Sequence, residues 1–163
     1  MSVLKERARG YSTPFVGRKA ELASLATRLT DPDCRLLTIT GLGGCGKTRL
    51  AQEVAAAEAG HFADGATFVA LQSIPRADLI LSAIAQSLGL VFYGDASFEQ
   101  LAGFLSAKAM LLVLDNFEHL LDGAALVSDL LAAAPGLTVL ATVFFMAVLG
   151  IEMERISLGA LII

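Results

Sequence analysis

Four short runs of nearly continuous apolar residues alternate along the chain with longer stretches in which apolar residues recur every three or four positions. The runs predict strands buried on both faces, and the three-to-four spacing predicts helices with one buried face. The predicted strands are RLLTIT, GATFVAL, AMLLVLD and LTVLAT, at 35–40, 65–71, 109–115 and 137–142. The predicted helices lie at 17–31, 47–60, 77–89, 97–107 and 123–136. Strands that alternate with helices predict an α/β fold, a doubly wound parallel sheet with helices on both faces.

Several helix ends carry recognisable signals. Ser97 followed by Gln100 three residues later is typical of a capping box. Gly60 and Gly89 are predicted to end their helices, because glycine readily adopts the left-handed backbone found after a helix. In the helix at 47–60 the predicted buried face consists of Leu50, Ala51, Val54 and Ala57.

Length and charge narrow the class of protein. The 163 residues correspond to about one domain, which we place at 14–163, after a flexible N-terminal arm at 1–13. The net charge of -4 provides no basic excess, so direct binding to nucleic acid is not expected. The longest apolar run, 139–151, is shorter than the roughly 18 to 20 residues of a spanning helix, so no membrane contact is expected.

The two cysteines form no metal-binding pattern. Cys34 and Cys45 are the only ones in the sequence, and no CxxC motif is present, so neither a disulfide framework nor a zinc site is indicated. The N-terminus has no apolar segment typical of a signal peptide. We therefore expect a cytoplasmic protein.

The stretch GLGGCGKT follows the first predicted strand and precedes a predicted helix. It satisfies the pattern GxxxxGK[ST] through Gly41, Gly46, Lys47 and Thr48. Glycines allow consecutive backbone N–H groups to surround an anion, and the helix directs its positive end to the same place. Lys47 adds charge near the β and γ phosphates, and the Thr48 hydroxyl is a hard ligand suited to Mg²⁺. The stretch therefore predicts a nucleotide phosphate site.

A second candidate stretch is LLVLDNFEH, in which an apolar strand ends in Asp115. Ligands of open α/β sheets lie at the carboxyl ends of strands, where an acid can hold Mg²⁺ through water. Asn116 can orient water but cannot take a proton, so Glu118 is the candidate for that task. The candidate catalytic residues are Lys47, Asn116 and Glu118. Glu118 and its neighbour His119 could equally be ordinary surface loop residues.

These stretches together resemble a known family. FVGRKAEL at 15–22, the glycine loop with its flanks, LLVLDNFEHLLD and APGLTVLAT follow in order up to residue 142 and are similar to the STAND ATPases. These are NB-ARC-like signalling ATPases of bacteria, often found in LuxR-type and related transcriptional regulators. The resemblance implies a P-loop NTPase fold of strand order 5-1-4-3-2 and an ATP/ADP switch that uses Mg²⁺. It also implies that the partners are other domains or protomers of a signalling assembly.

The resemblance also implies a set of binding residues. At the adenine end it places Phe15, Val16, Gly17 and Arg18. The nucleotide-binding residues around the phosphates are Gly41, Gly43, Gly44, Cys45, Gly46, Lys47, Thr48 and Arg49. Thr48 and Asp115 are the implied Mg²⁺ ligands.

The sequence departs from the family after the fourth strand. Relatives usually read Thr-Ser-Arg there, and the arginine senses the γ-phosphate. This chain keeps Thr142 but continues with Val143 and Phe144. An apolar side chain cannot stabilise phosphate charge, so we expect weak hydrolysis with binding largely intact.

The C-terminal region carries further expectations. We expect TVFFMAV, 142–148, to extend the fourth strand into the core; an exposed segment that promotes association is the alternative. Ile156 and Leu158 resemble part of the family's fifth strand. Relative to the family, we expect the nucleotide-binding domain to be incomplete.

Three functions remain open from the sequence. The first is a STAND-type ATP/ADP-binding domain with weak Mg-dependent ATP hydrolysis. The second is a non-catalytic, nucleotide-dependent interaction module, which Asn116 and Phe144 favour. A small P-loop kinase is the least favoured, because Arg155 is the only arginine after Asp115 and no arginine-rich lid is present.

Overall fold

The computed structural model describes residues 14–91 and 97–144, and its four strands there form one parallel sheet. The strands are β1 (Leu36–Gly41), β2 (Ala66–Ala70), β3 (Met110–Asp115) and β4 (Leu137–Phe144). Their order is β1-β4-β3-β2, so the implied order 1-4-3-2 is confirmed for these strands. The N-terminal arm at 1–13, residues 145–148 and the fifth strand around Ile156 and Leu158 lie outside the described residues.

The described helices follow the predicted alternation. They are α1 (Lys19–Leu29), α2 (Lys47–Glu58), α3 (Ile80–Ser87), α4 (Phe98–Ser106) and α5 (Ala124–Ala133), with 3-10 turns at Ala59–His61, Ala77–Leu79 and Phe117–Gly123. None of these helices has the length and apolar character that a membrane crossing requires.

The helix-end predictions are confirmed in part. The Ser97 hydroxyl accepts from the Gln100 N–H at 3.3 Å, and the Gln100 side chain accepts from the Ser97 N–H at 3.2 Å, which completes the capping box. Gly89 has a φ of 72° directly after α3, as expected of a helix stop. α2 ends at Glu58, two residues before the predicted stop at Gly60, but this glycine lies in the 3-10 turn Ala59–His61 and does not take the left-handed conformation expected of it.

β3 is one of the two inner strands of the described sheet, and its side chains enter both core layers. All six of its residues are buried. Leu112 and Leu114 belong to the layer covered by α3, α4 and α5, whereas Leu111 and Val113 belong to the layer under α1 and α2. Because side chains alternate along a strand, a continuous apolar run serves both faces, as the sequence predicted.

The buried face of α2 differs from the predicted one. Leu50, Ala51 and Val54 are buried as predicted, but Ala57 is exposed. The face continues instead through Ala55, one turn after Ala51. The buried stripe therefore turns away from Ala57.

Side chains tie the strands together at the edge of the sheet where they begin, which we call the amino edge. Arg35 precedes β1, and its guanidinium donates to the carbonyl oxygens of Ala134 and, at 3.0 and 3.2 Å, Leu137. Asp64 precedes β2 and accepts from the Ala109 N–H, just before β3, at 2.8 Å. The amino edge is therefore closed by polar bonds, and the carboxyl ends of the strands remain for the candidate site.

Candidate phosphate-binding site

The glycine loop connects β1 to α2 in a tight turn. Gly44 and Gly46 have φ angles of 74° and 85°, a region that other residues enter only with strain. A Cβ on Gly41 would lie 2.9 Å from the Cys45 Sγ, so the loop folds back closely on its own start. Such left-handed turns point successive backbone N–H groups into one concavity, which suits an anion. The predicted strand, loop and helix are therefore all present.

The Lys47 side chain turns back over the loop. Its Nζ donates to the carbonyl oxygens of Gly41 at 2.8 Å and Leu42 at 2.9 Å. These bonds hold the positive charge of the ammonium above the start of the loop, at the N-terminus of α2. An anion in the loop would therefore meet this charge together with the positive end of the helix.

Phe144 lies beside the same loop. It is the last residue of β4 and pairs with Gly41 of β1. Its ring carbons Cε2 and Cδ2 lie 3.6 and 4.0 Å from the position of a Cβ on Gly43, and the Lys47 Nζ is 5.7 Å from the ring centroid. An aromatic face therefore borders the loop on the side of the lysine ammonium.

Asp115 ends β3 and is held by a buried neighbour. The Thr142 hydroxyl donates to Asp115 Oδ1 at 2.7 Å and accepts from the Asn116 N–H at 3.0 Å. Asp115 is 5% exposed and Thr142 is 1% exposed. Asn116 has a φ of 62°, a left-handed conformation that asparagine tolerates better than most residues. The hydroxyl of Thr142 therefore fixes both the carboxylate and the turn that follows it.

Asn116 and Glu118 form one polar wall of a cleft beside the glycine loop. The Asn116 Nδ2 donates to Glu118 Oε1 at 3.1 Å. Glu118 Oε2 is buried and has no hydrogen-bond partner among the residues that the structure describes. The cleft has a volume of about 310 Å³ and is lined by Gly43, Gly44, Gly46, Lys47, Thr48, Arg49, Asn116, Glu118, Thr142 and Phe144. The candidate residues Lys47, Asn116 and Glu118 therefore meet in one cleft, whereas the His119 Nε2 pairs with the Ile74 carbonyl oxygen at 2.9 Å and does not line it.

The donor set suits Mg²⁺ only in part. Thr48 and Asp115 offer hard oxygens, and Thr142 occupies only Asp115 Oδ1. Within 14–91 and 97–144, no group of three or more His, Cys, Asp or Glu residues could hold a metal ion. Mg²⁺ commonly uses one or two protein oxygens together with substrate phosphates and water, so Thr48, which lines the cleft, suits an ion that arrives with a nucleotide. Asp115 is not among the residues that line the cleft, and its role as a ligand stays a prediction.

Arg18 joins the start of α1 to the glycine loop. Gly17 and Arg18 have φ angles of 83° and 53°, which turns the chain sharply before the helix. The Arg18 Nη1 donates to the Cys45 carbonyl oxygen at 2.9 Å, and its Nε pairs with Glu21 at 3.2 Å. Arg18 therefore contacts the loop itself through its side chain.

Phe15 and Arg49 form a second contact between the same two regions. The Arg49 guanidinium carbon lies 5.6 Å from the Phe15 ring centroid, and its Nε is 3.9 Å from Glu53 Oε1. Val16 is 82% exposed. Of the predicted adenine-end residues, Arg18 thus contacts the loop and Phe15 contacts the first turn of α2, whereas Val16 lies in solvent. Their contact with a base stays a prediction.

Comparisons with known proteins agree with this geometry. In solved structures, the chain is similar to Cdc6p from Pyrobaculum aerophilum, with a TM-score of 0.70, 18% identity and coverage of 89% of this chain and 44% of that one. It is also similar to the Aeropyrum pernix ORC2 protein, with a TM-score of 0.67, 19% identity and coverage of 94% of this chain and 50% of that one. Residues 14–94 match the family model of the AAA ATPase domain. The chain has a P-loop NTPase fold.

Curated relatives of this P-loop domain are longer proteins. An uncharacterized protein of Mycobacterium tuberculosis, Rv0894, is 39% identical over 141 residues, which are 85% of this chain and 35% of that protein. A protein of the same organism described as an HTH-type transcriptional regulator is 46% identical over 110 residues, 66% of this chain and 12% of that protein. The chain thus spans about a third of the length of the first relative and less of the second.

Sequence reasoning missed three contacts of the P-loop domain. It gave Thr142 no role as a bridge between Asp115 and Asn116, and it did not foresee that the Arg18 side chain reaches the loop carbonyl of Cys45. It also did not place the ring of Phe144 against the loop. Only the contact of Thr142 had a signal in the sequence, because Thr142 is the last residue that matches the family pattern before the sequence departs from it.

Proposed function

We propose that this domain binds ATP and ADP with Mg²⁺ and serves as the nucleotide-dependent switch of a STAND-type signalling ATPase. The observation that carries the proposal is the Lys47 ammonium held over the glycine loop, in a cleft that is also lined by Thr142, the hydrogen-bond partner of Asp115. The similarity to an HTH-type regulator supports a role in regulation, with other domains or protomers as partners. The related ORC2 structure is described as containing ADPNP and ADP complexes, which supports adenine nucleotides as ligands.

Each part of the site has a role in this proposal. The backbone from Gly43 to Thr48 surrounds the phosphates, and Lys47 supplies charge to the β and γ positions. Thr48 and Asp115 would hold Mg²⁺, which neutralises phosphate charge when bound. The segment from Phe15 to Arg18 would contact the base, with the Phe15 ring held against the Arg49 guanidinium.

Hydrolysis in this site would be weak. The Glu118 Oε2 is buried at the cleft without a hydrogen-bond partner among the described residues, so it can accept a hydrogen bond from an attacking water. Asn116 holds Glu118 by its other oxygen and can orient the same water. Phe144, however, places an apolar ring beside the loop, where it gives no charge to a developing transition state.

The test is nucleotide binding by the purified chain and by Lys47→Ala. We expect the variant to bind Mg-ADP about 10- to 100-fold more weakly in calorimetry, because a charge-assisted interaction contributes about 1.5–3 kcal/mol. Lys19→Ala is the matched control, since it removes the same charge from an exposed lysine at the start of α1. An affinity within twofold of the wild type for Lys47→Ala would contradict the proposal.

The second candidate is a non-catalytic module that binds nucleotide and does not turn it over. Phe144 beside the loop favours it, because no guanidinium is available at that position. Phosphate release from Mg-ATP separates the two candidates. Steady release that disappears in Lys47→Ala means an ATPase, whereas tight binding without release means an interaction module.

A further inference from the structure

We propose that Phe144 is a specificity-determining residue that makes the site favour a nucleoside diphosphate over the corresponding triphosphate. The inference rests on the proposed nucleotide binding at the glycine loop, and it concerns which nucleotide state the site holds more tightly. It follows from three features of the described residues: the position of the ring, its contact with the loop, and its place beside the lysine.

The position of the ring is set by strand pairing. Phe144 pairs with Gly41, the residue with which the glycine loop begins. Because side chains alternate along a strand, Phe144 projects to the same face of the sheet as Thr142, whose hydroxyl bonds Asp115. The ring therefore lies on the same face of the sheet as the Thr142 hydroxyl and the carboxylate of Asp115.

The contact with the loop leaves little room beside Gly43. A Cβ built on Gly43 would stand in ordinary van der Waals contact with the ring, 3.6 Å from one of its carbons, so the space between Gly43 and the ring would take about one methyl group. A phosphate group is larger than a methyl group, so one that entered this space would have to displace the ring. A phosphate oxygen placed there would face apolar carbon and receive no hydrogen bond, which is unfavourable.

The third feature concerns the lysine. The Lys47 ammonium lies 5.7 Å from the ring centroid and also donates to the carbonyl oxygens of Gly41 and Leu42. A cation over an aromatic face is stabilised by the ring. A ligand that binds this ammonium must replace its two hydrogen bonds and its contact with the ring. The loop backbone surrounds the inner phosphates, so the terminal phosphate of a triphosphate depends most on the ammonium.

These features act differently on the two nucleotide states. The backbone N–H groups of the loop can bind the phosphates of a diphosphate. A triphosphate adds a further charged group at the end of the loop that the lysine serves. The ring borders that end and offers neither charge nor a hydrogen-bond donor. The expected result is a penalty that applies to the triphosphate and largely spares the diphosphate.

The experiment compares dissociation constants for ADP and for the non-hydrolysable analogue AMP-PNP, both with Mg²⁺, in the full chain. We expect the wild type to bind ADP more tightly than AMP-PNP. Phe144→Leu removes the aromatic face and keeps an apolar side chain, and we expect it to lower the AMP-PNP to ADP ratio of dissociation constants by about two- to fivefold. Phe104→Leu is the matched control, because it removes a ring that faces another ammonium, that of Lys108 at 5.4 Å from the ring centroid, away from the cleft, and it should keep the ratio.

Each outcome decides between the two proposals. Equal affinities of the wild type for ADP and AMP-PNP, or an unchanged ratio in Phe144→Leu, overturn the role of Phe144 and leave nucleotide binding intact. A folded wild type that binds neither nucleotide overturns the proposed function and this inference with it. Should Phe144→Leu fail to fold, Phe144→Val replaces it with a residue that favours strands.

Discussion

The hydroxyl of Thr142 gives the sharpest test of how the carboxyl edge of the sheet is held. Thr142→Val replaces the hydroxyl by a methyl group at a position that is 1% exposed, and it keeps the branched shape suited to a strand. The change removes the donor to Asp115 Oδ1 at 2.7 Å and the acceptor of the Asn116 N–H at 3.0 Å. Both groups lose their partner in a place that water reaches poorly.

The magnitude follows from these two losses. A hydrogen bond to a charged group contributes about 1.5–3 kcal/mol, and leaving a buried N–H without a partner costs about 1–3 kcal/mol. The two effects share one hydroxyl and are not additive, and the new methyl group recovers part of the loss through apolar burial. We therefore expect the free energy of unfolding to fall by about 2–4 kcal/mol.

Urea unfolding followed by circular dichroism measures this change. Thr138→Val is the matched control: the residue lies on the same strand, is only partly buried, and its hydroxyl makes none of the hydrogen bonds seen among the described residues. We expect the control to change the unfolding free energy by less than about 0.5 kcal/mol. A loss below about 1 kcal/mol in Thr142→Val, with an unchanged m-value, would refute the idea that this hydroxyl holds the buried carboxylate.

Three further predictions concern stability. Gly136→Ala should lower the unfolding free energy, measured in urea, by about 1–3 kcal/mol, because the new Cβ would collide with the Lys108 carbonyl oxygen. An unchanged unfolding free energy would contradict this close approach. Gly103 lies inside α4, and no atom is within 4 Å of a Cβ added there. Gly103→Ala should therefore raise the unfolding free energy by about 0.5–1 kcal/mol, because alanine favours a helix more than glycine does, and a destabilised variant would contradict this. The hydrogen bond from the Lys108 side chain and, to a smaller extent, that from the Ala109 N–H lower the pKa of the Asp64 carboxyl. The ionised carboxylate therefore stabilises the fold above its ordinary pKa of about 4, and this stabilisation is lost as the pH falls through the lowered pKa. The difference in unfolding free energy between wild type and Asp64→Asn should therefore be smaller at pH 3 than at pH 7, and a difference that is equal at both pH values would refute the assignment.

Much of the fold could be predicted because its signals are local. The run from Met110 to Asp115 is apolar up to its last residue, which required a strand buried on both faces, and β3 is that strand. Ser97 and Gln100 are three residues apart, so their capping box follows from the sequence alone. The strand order came only from the family resemblance, because hydrophobic patterns do not say which strands pair.

The parts of the site that could not be predicted depend on distant pairs. Arg18 and Cys45 are 27 residues apart in sequence, and nothing in either stretch indicates that the guanidinium meets the loop carbonyl. The sequence showed that Phe144 cannot stabilise phosphate charge, but not that its ring would border Gly43. That contact depends on the register between β1 and β4, which only the folded sheet defines.

The amino edge has a consequence for how this domain can diverge. Arg35 and Asp64 bond the beginnings of the strands, far along each strand from the glycine loop. Substitutions around the loop can therefore accumulate without removing the bonds that join the strands at the other end. In a related protein, a ring such as that of Phe144 could replace a charged residue and change the chemistry of the site without changing the fold. The bonds at the amino edge thus keep the strands joined while the residues at their carboxyl ends change.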